Sequence, residues 1–335
     1  MALLEVDHLT IGYRTRKGLI KAVEDVSFSL EQGDSLGFVG ESGCGKTTIG
    51  MALMGLLPEN GRVLSGEIRF KGHNIFALSA AEQRDLRWSE IAMIFQAAMN
   101  ALNPVQRVGD QIVEAIRLHE PGVSEAGAAN RAASLFSLVG LDPERLFDYP
   151  HQYSGGMKQR AIIAMALACE PEIIIADEPT TALDVVVQAQ ILTEIRRIQT
   201  ELDVGILFIS HDIAVVAEVC RHIAVMYAGQ IVEQGSRAEV FDTPAHPYTR
   251  ALLDAYLTID GEETILPKPL PGESPDLMKP ATGCRFCDRC DQVQDQCRTE
   301  RPSRISMSRT HRVLCCGVED RKAGGADPAP EGGQP

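Results

Sequence analysis

One short segment, residues 40–47, carries the residue types that bind a phosphate chain. Its letters, GESGCGKT, fit the pattern G-x-x-x-x-G-K-[ST]. Glycines let such a loop turn tightly, so that several backbone N–H groups and the start of the next helix face one anion. The loop therefore predicts a nucleoside triphosphate site with Mg²⁺. The residues expected to contact the nucleotide are Gly40, Glu41, Ser42, Gly43, Cys44, Gly45, Lys46, Thr47 and Thr48.

Two adjacent carboxylates, Asp177 and Glu178, end an apolar run that predicts a buried strand. One carboxylate can organise the Mg²⁺ shell, and its neighbour can orient and polarise an attacking water. Positioning and charge stabilisation provide most of the catalysis in phosphoryl transfer. Asp177 is therefore a candidate Mg²⁺ ligand, and Glu178 is the candidate catalytic base.

A second helix start suited to anions follows Tyr153. Ser154 is a favourable N-cap, and Gly155 and Gly156 expose backbone N–H groups at the point where the helix begins. Two phosphate-binding helix ends in one chain favour a nucleotide held between two subunits.

The elements that must position these residues alternate between strands and helices, which predicts an α/β fold with a mostly parallel sheet. Antiparallel strands are expected in residues 1–30, and helices dominate from about 108 to 170. We expect a nucleotide-binding domain over residues 1–257, with a helical subdomain at about 97–170. A Pro- and Cys-rich extension then covers 258–319, and a disordered tail rich in Gly and Pro covers 320–335.

Composition narrows the function. The 335 residues carry a net charge of −14, which argues against non-specific nucleic-acid binding. No apolar run approaches the roughly 20 residues that cross a bilayer. The N-terminus lacks the basic start and apolar stretch of a signal peptide. We therefore expect a cytosolic chain whose membrane role, if any, depends on partner subunits.

Further motifs resemble the ATP-binding-cassette (ABC) superfamily over roughly residues 3–250. Residues 154–159 are similar to its signature motif, 181–184 to its D-loop and 210–212 to its switch-histidine segment. Gln96 ends a strand like the Q-loop glutamine, and Tyr13 lies where the family places an aromatic residue to stack on adenine.

The resemblance implies a role for each residue. Thr47, Gln96 and Asp177 would bind Mg²⁺, and Glu178 and His211 would act in hydrolysis. The residues implied to reach the nucleotide of the other subunit are Ser154, Gly155, Gly156 and Met157, and Asp184 would lie at the dimer interface.

Cys44 stands where the family usually has a small residue such as serine. The N-terminus of the next helix is expected to lower the pKa of its thiol. On that basis alkylation would block ATPase activity, and MgATP would protect.

Six of the nine cysteines lie between positions 284 and 316, and in a reducing cytosol such crowding suggests metal rather than disulfides. Residues 243–253 resemble the P-x-H-P-Y-T-x-x-L-L segment of oligopeptide/dipeptide importer ATPases, a branch that also drives nickel uptake. The resemblance implies iron–sulfur ligands at Cys284, Cys290, Cys297 and Cys315.

The residues themselves leave the cofactor open. Four thiolates can hold a [4Fe–4S] cluster or zinc, and the extension could also lack metal. Spacings that do not form paired C-x-x-C knuckles favour the cluster. Cys287 or Cys316 could replace a neighbouring ligand.

These observations predict an ATPase subunit of a di- or oligopeptide importer, peripheral on the cytoplasmic face of the inner membrane. Its expected partners are a second, similar ATPase chain, two permease subunits and an extracytoplasmic solute-binding protein, without nucleic acid. Residues 99–105 resemble the family region that couples to permease helices. The alternatives are the same motor for nickel or another small solute, or a soluble ABC ATPase acting on nucleic acid or the ribosome.

Overall fold

Strands and helices alternate through most of the chain in the computed structural model, as the sequence predicts. The strands are β1 (Leu4–Thr15), β2 (Gly18–Leu30), β3 (Ser35–Val39), β4 (Gly61–Phe70), β5 (His73–Asn74), β6 (Ile91–Ile94), β7 (Ile173–Asp177), β8 (Gly205–Ser210), β9 (His222–Tyr227), β10 (Gln230–Ser236), β11 (Arg304–Ser306) and β12 (Arg312–Leu314). The α-helices are α1 (Lys46–Leu53), α2 (Ala80–Ser89), α3 (Val108–His119), α4 (Glu125–Leu138), α5 (Gly155–Ala166), α6 (Val185–Leu202), α7 (Ile213–Val219), α8 (Arg237–Asp242), α9 (Pro247–Leu257) and α10 (Asp295–Thr299).

The structure describes residues 2–96, 101–181, 183–257, 270–279 and 281–318, without the side chains of 256 and 257. Several sequence expectations lie wholly or partly outside these ranges. The tail at 320–335 lies wholly outside, as do residues 258–269, 280 and 319 of the predicted extension. Residues 97–100, at the start of the predicted helical subdomain, also lie outside, and they include the first two residues of the segment 99–105. The same is true of Ala182 of the D-loop segment.

A sheet of eight strands among the described residues forms the centre of the molecule, in the order β11-β12-β10-β9-β3-β8-β7-β6. The five strands from β9 to β6 are parallel. Parallel strands are covered on both faces, and for this reason β3 and β7 are apolar runs buried along their whole length. Their carboxyl ends lie at the same edge of the sheet, with β8 between them, so residues 40 and 178 both follow strands that end at this edge.

A smaller antiparallel sheet has the order β2-β1-β4-β5, and its strand β2 passes close to the phosphate-binding loop at Gly45. Its core continues into the main sheet, because the Phe28 ring packs edge-on against Phe38 of β3 at 5.0 Å. The helical region contains α3, α4 and α5, which share one apolar cluster with buried Ile112 and Phe136. Trp88 is tied to it by an Nε1–H bond to the Met165 carbonyl at 2.7 Å.

Part of the C-terminal extension joins the main sheet. Strand β12 pairs with β10, with Val313 opposite Glu233, and β11 pairs with β12. The fully buried Glu233 carboxylate accepts hydrogen bonds from the backbone N–H groups of Ala245 and His246, at 2.7 and 2.9 Å, and it pairs with His311 Nε2 at 2.7 Å. This carboxylate therefore joins β10, the start of α9 and β12.

Within the described residues, no helix has both the length and the apolarity needed to cross a membrane.

Candidate nucleotide site

The phosphate-binding loop lies between the end of β3 and the start of α1. Its glycines at positions 40, 43 and 45 have φ values of 153°, 79° and 106°, a region that side chains disfavour. At Gly45, an added Cβ would also lie 2.4 Å from the carbonyl oxygen of Ala22. Glycine is therefore required there both by the backbone angle and by the close approach of β2.

Lys46 lies inside this loop with 5% of its surface exposed. Its Nζ donates to the carbonyl oxygens of Gly40 and Glu41, at 2.6 and 3.1 Å. These bonds hold the ammonium under the curve of the backbone, where a bound phosphate chain would meet it.

The sequence predicts a lowered pKa for the Cys44 thiol, and this prediction is wrong. Cys44 is 4% exposed, and burial raises the pKa of its thiol despite Lys46 Nζ at 3.6 Å. Loss of solvent disfavours the thiolate more than the ammonium and the helix N-terminus favour it. The thiol is packed beneath the loop, and only the Cys44 backbone is available to a ligand.

The two Mg²⁺ candidates from distant segments meet at the carboxyl edge of the sheet. Thr47 Oγ1 in the first turn of α1 donates to Asp177 Oδ1 at the end of β7, at 3.2 Å. Asp177 is 1% exposed, and burial raises the pKa of its carboxyl. A nearby cation would reverse this effect, since the carboxylate would then be paired.

Three side chains converge on the Glu178 carboxylate. Gln96 Nε2 and Thr181 Oγ1 donate to Oε2, at 2.9 and 3.0 Å, and His211 Nδ1 lies 3.2 Å from Oε1. Burial acts to raise the pKa of Glu178, but the bonds from His211 and Thr181 outweigh it and lower the pKa. Glu178 itself adopts φ 48°, a strained conformation that is common at functional sites.

Comparison with known proteins identifies the family. Residues 23–181 match the ABC transporter family, and residues 232–297 match the oligopeptide/dipeptide transporter C-terminal region. The dipeptide transport ATP-binding protein DppD of Bacillus subtilis is 46% identical over 96% of this chain and 96% of its own. The oligopeptide transport ATP-binding protein OppD of Escherichia coli is 45% identical over 90% of this chain and 89% of its own. The chain belongs to the ABC transporter family.

Solved structures agree with this assignment. CbiO1 of Clostridium perfringens, part of an ABC transporter complex, superposes with a TM-score of 0.64 at 26% identity, covering 77% of this chain and 95% of that one. A dimeric ATP-binding cassette bound to ADP and phosphate superposes with a TM-score of 0.62 at 24% identity, covering 70% and 98%, and shows the shared fold. The predicted ABC cassette fold is confirmed.

Ser154 of the predicted signature segment and Asp184 of the D-loop segment each cap a helix of their own chain. Ser154 is exposed and caps α5 by accepting from the Met157 N–H at 3.3 Å. Asp184 caps α6 in the same way, with the Val187 N–H at 2.9 Å. Among the described residues, neither side chain is hydrogen-bonded to the loop 40–47. Gly156 packs so closely on α6 that an added Cβ would lie 2.8 Å from Val187 Cγ1.

Two other cassette residues lie at the margins of the site. Tyr13 in β1 places its hydroxyl 3.2 Å from Thr48 Oγ1, on the first turn of α1. Gln96, expected at Mg²⁺, here directs its amide N–H to Glu178. Sequence reasoning missed Thr181 as a partner of Glu178, although its place in the D-loop segment was a usable signal.

Sequence reasoning also missed the partners of Glu41 in the loop. Its carboxylate is bound by Arg289 of the extension, and its N–H donates to the Tyr248 hydroxyl. These partners lie more than 200 positions away along the chain, so no local pattern indicates them.

The cysteines of the extension line one cavity of about 190 Å³, which we call the cysteine cavity. Its lining includes the four cysteines predicted as ligands, together with Cys287, Cys316, His246 and Phe286. Within the described part of the chain, no three His, Cys, Asp or Glu residues are arranged to hold a single metal ion. The predicted thiols therefore surround a shared cavity in this structure.

Proposed function

We propose that this chain is the ATP-hydrolysing subunit of an importer for dipeptides or oligopeptides. The observation that carries the proposal is the Glu178 carboxylate, bound by three side chains beside the Thr47–Asp177 pair. The 46% identity to the dipeptide transport protein DppD supports the peptide branch.

The substrate-binding step uses the loop and its lysine. Inward-facing N–H groups of residues 40–47 and the Lys46 ammonium suit the β- and γ-phosphates of ATP. Thr47 Oγ1 and an oxygen of Asp177, 3.2 Å apart, are the hard ligands that Mg²⁺ prefers, and Gln96 would join them after leaving Glu178. Mg²⁺ would neutralise charge on the phosphates during transfer. Tyr13, beside α1, would stack on the adenine.

Hydrolysis depends on Glu178. Its lowered pKa keeps the carboxylate ionised at neutral pH, so that it can accept a hydrogen bond from water. As the water oxygen bonds to the γ-phosphorus, the bond to the bridging oxygen breaks and ADP leaves. Glu178 takes the proton that the water loses, while His211 orients the carboxylate and contacts the γ-phosphate.

The complete site needs a second ATPase chain. Ser154, at the exposed N-terminus of α5, would bind the γ-phosphate held by the companion's loop, with Asp184 at the interface. Val185 and Val186, directly after Asp184, are 82% and 67% exposed. Two adjacent exposed valines favour burial against a partner at this point.

The membrane partners are two permease subunits, with an extracytoplasmic solute-binding protein supplying the peptide. Val105, in the segment that resembles the family's permease-coupling region, is 79% exposed. We assign this exposed apolar side chain to a contact with the permease helices, and we place the subunit at the cytoplasmic face of the inner membrane.

The cofactor assigned to the cysteine cavity is a [4Fe–4S] cluster held by Cys284, Cys290, Cys297 and Cys315. All four of these cysteines line the cavity, and four deprotonated cysteines can hold such a cluster. Their spacing lacks the paired C-x-x-C knuckles typical of zinc sites. Such a cluster would cross-link the extension and stabilise its fold, because the extension has only a small hydrophobic core of its own. Stoichiometric zinc without iron in anaerobically purified protein would contradict it.

The deciding experiment replaces Glu178 with Gln. Glu178→Gln should bind ATP normally and lose turnover by about 100-fold or more, because the amide cannot accept the proton. Exposed Glu218 in α7 provides the control, and Glu218→Gln should keep full turnover. Near-normal turnover of Glu178→Gln would contradict the role of Glu178 as the catalytic base.

A second experiment separates the importer from the alternative functions. A peptide importer should co-purify with permease subunits, and its ATPase activity should be stimulated by peptide rather than by Ni²⁺ or nucleic acid.

A further inference from the structure

The C-terminal extension contacts the phosphate-binding loop through an ion pair between Arg289 and Glu41. Arg289 Nη1 and Nη2 donate to Glu41 Oε2 and Oε1, both at 2.8 Å, in a two-pronged arrangement. Arg289 is 8% exposed, and its Nε donates to the Pro271 carbonyl at 2.8 Å. Ser274 adds a hydrogen bond to the same carboxylate at 2.5 Å. A paired guanidinium with low exposure fixes both the position and the direction of its carboxylate.

The backbone of Glu41 is held from the same direction. Its N–H donates to the hydroxyl of buried Tyr248 in α9, at 3.0 Å. Phe286 packs edge-on against Tyr248 at 5.4 Å and against Tyr227 at 5.1 Å. The ring of Phe286, which lies in the wall of the cysteine cavity, therefore supports a direct ligand of the loop backbone.

A second contact reaches the other end of the loop. Arg285 donates to the carbonyl of Ala228 and forms an ion pair with Glu24, which is 8% exposed at its side chain. Gly229, which follows Ala228 in the chain, donates its N–H to the Cys44 carbonyl at 2.9 Å. Arg285 and Arg289 thus hold both halves of the loop, by way of the β9–β10 turn and Glu41.

These contact residues alternate with the cavity cysteines. Cys284, Cys287 and Cys290 flank Arg285, Phe286 and Arg289 along the chain. The same three cysteines line the cavity. We expect a change in what fills the cavity to move this backbone and, with it, the contacts to the loop, because packed interiors transmit displacement.

We propose that Arg289 is a positioning residue for the phosphate-binding loop, and that its pair with Glu41 links nucleotide binding to the occupancy of the cysteine cavity. The inference rests on the proposed function, because it needs nucleotide at residues 40–47. Linkage is reciprocal: if the filled cavity alters the affinity for nucleotide, nucleotide alters the affinity of the cavity for its occupant by the same factor. Labelling of the cavity thiols reports the same coupling, because a packed thiol reacts only when its surroundings open and bound nucleotide would make that opening rarer.

The test uses the full-length reduced protein, ADP and N-ethylmaleimide. Bound ADP should slow labelling of Cys284, Cys287 and Cys290, read by mass spectrometry, by about fivefold or more, the lower end of usual couplings. Arg289→Gln should abolish this protection, weaken ADP binding, and raise KM with kcat little changed. Arg298→Gln is the matched control, because Arg298 is in the same segment but pairs with exposed Asp288 at 3.0 Å. It should keep both the affinity and the protection.

The outcomes are distinct. Failure of the parent protein to bind ADP would refute the proposed function. Binding without protection, or equal protection in Arg289→Gln, would refute only the linkage. If Arg289→Gln does not fold, Glu41→Gln breaks the same pair from the loop side and must also lose protection. Prior filling of the cavity with iron and sulfide should shift the ADP affinity of the parent protein and leave that of Glu41→Gln unshifted.

Discussion

Thr47 and Asp177 are 130 positions apart, and the threonine hydroxyl donates to the aspartate carboxylate at 3.2 Å. The contact joins the first turn of α1 to the end of β7. It places an alcohol oxygen and a carboxylate oxygen side by side where the phosphate-binding loop ends. This pair is the structural reason for assigning Mg²⁺ to the site.

Thr47→Val should separate metal binding from phosphate binding. The change keeps the side-chain shape and removes the hydroxyl, so we expect ADP affinity in the presence of Mg²⁺ to fall by about tenfold, the equivalent of roughly 1.4 kcal/mol. Affinity in EDTA should change little. Titration calorimetry with and without Mg²⁺ measures both. Thr193→Val, on the exposed side of α6, is the control.

Native Cys44 should react slowly with iodoacetamide. Burial raises the pKa of its thiol, so both access and thiolate content are low at neutral pH. Cys44→Ser should retain most ATPase activity, because the loop uses backbone groups. Peptide mapping after timed alkylation measures the rate. Labelling of Cys44 faster than that of the partly exposed Cys287 would contradict the burial argument.

Gly156→Ala should disturb the signature helix through one contact. The new methyl group would lie 2.8 Å from Val187 Cγ1, and such overpacking costs about 1–3 kcal/mol. We expect lower thermal stability and lower ATPase activity. Val187→Ala in the same chain should restore most of both, since it removes the clashing atom. Gly122→Ala has open space around the new atom and serves as the control.

The His311–Glu233 pair should make the attachment of the extension depend on pH. The hydrogen bond to Glu233 raises the pKa of His311 above 6.5, against burial, and Glu239 adds a smaller effect in the same direction. Its stabilisation is therefore complete below pH 6.5 and is lost as pH rises through the raised value. The stability advantage of the parent over His311→Gln should be greatest below pH 6.5 and should shrink as the pH rises above it. Denaturant unfolding at several pH values measures it, with His73→Gln at an exposed position as the control. A constant difference would show that the pair does not titrate in this range.

Structural features that depend only on neighbouring residues in the chain could be predicted from the sequence. The loop 40–47 and the strand ending at Asp177 were predicted correctly, because glycine spacing and uninterrupted apolar runs determine turns and buried strands over a few residues. The same holds for the N-cap at Ser154. The further motifs indicated the ABC family, and the sequence relatives confirmed that family.

Properties set by distant neighbours were not predictable. The Cys44 thiol was assigned a lowered pKa from its helix, but burial beneath the loop raises it. Glu41 was predicted to contact the nucleotide, and its pairing with Arg289, 248 positions away, was not foreseen. Turn geometry and hydrophobic periodicity arise within one element, whereas desolvation and ion pairing exist only once separate elements have packed together.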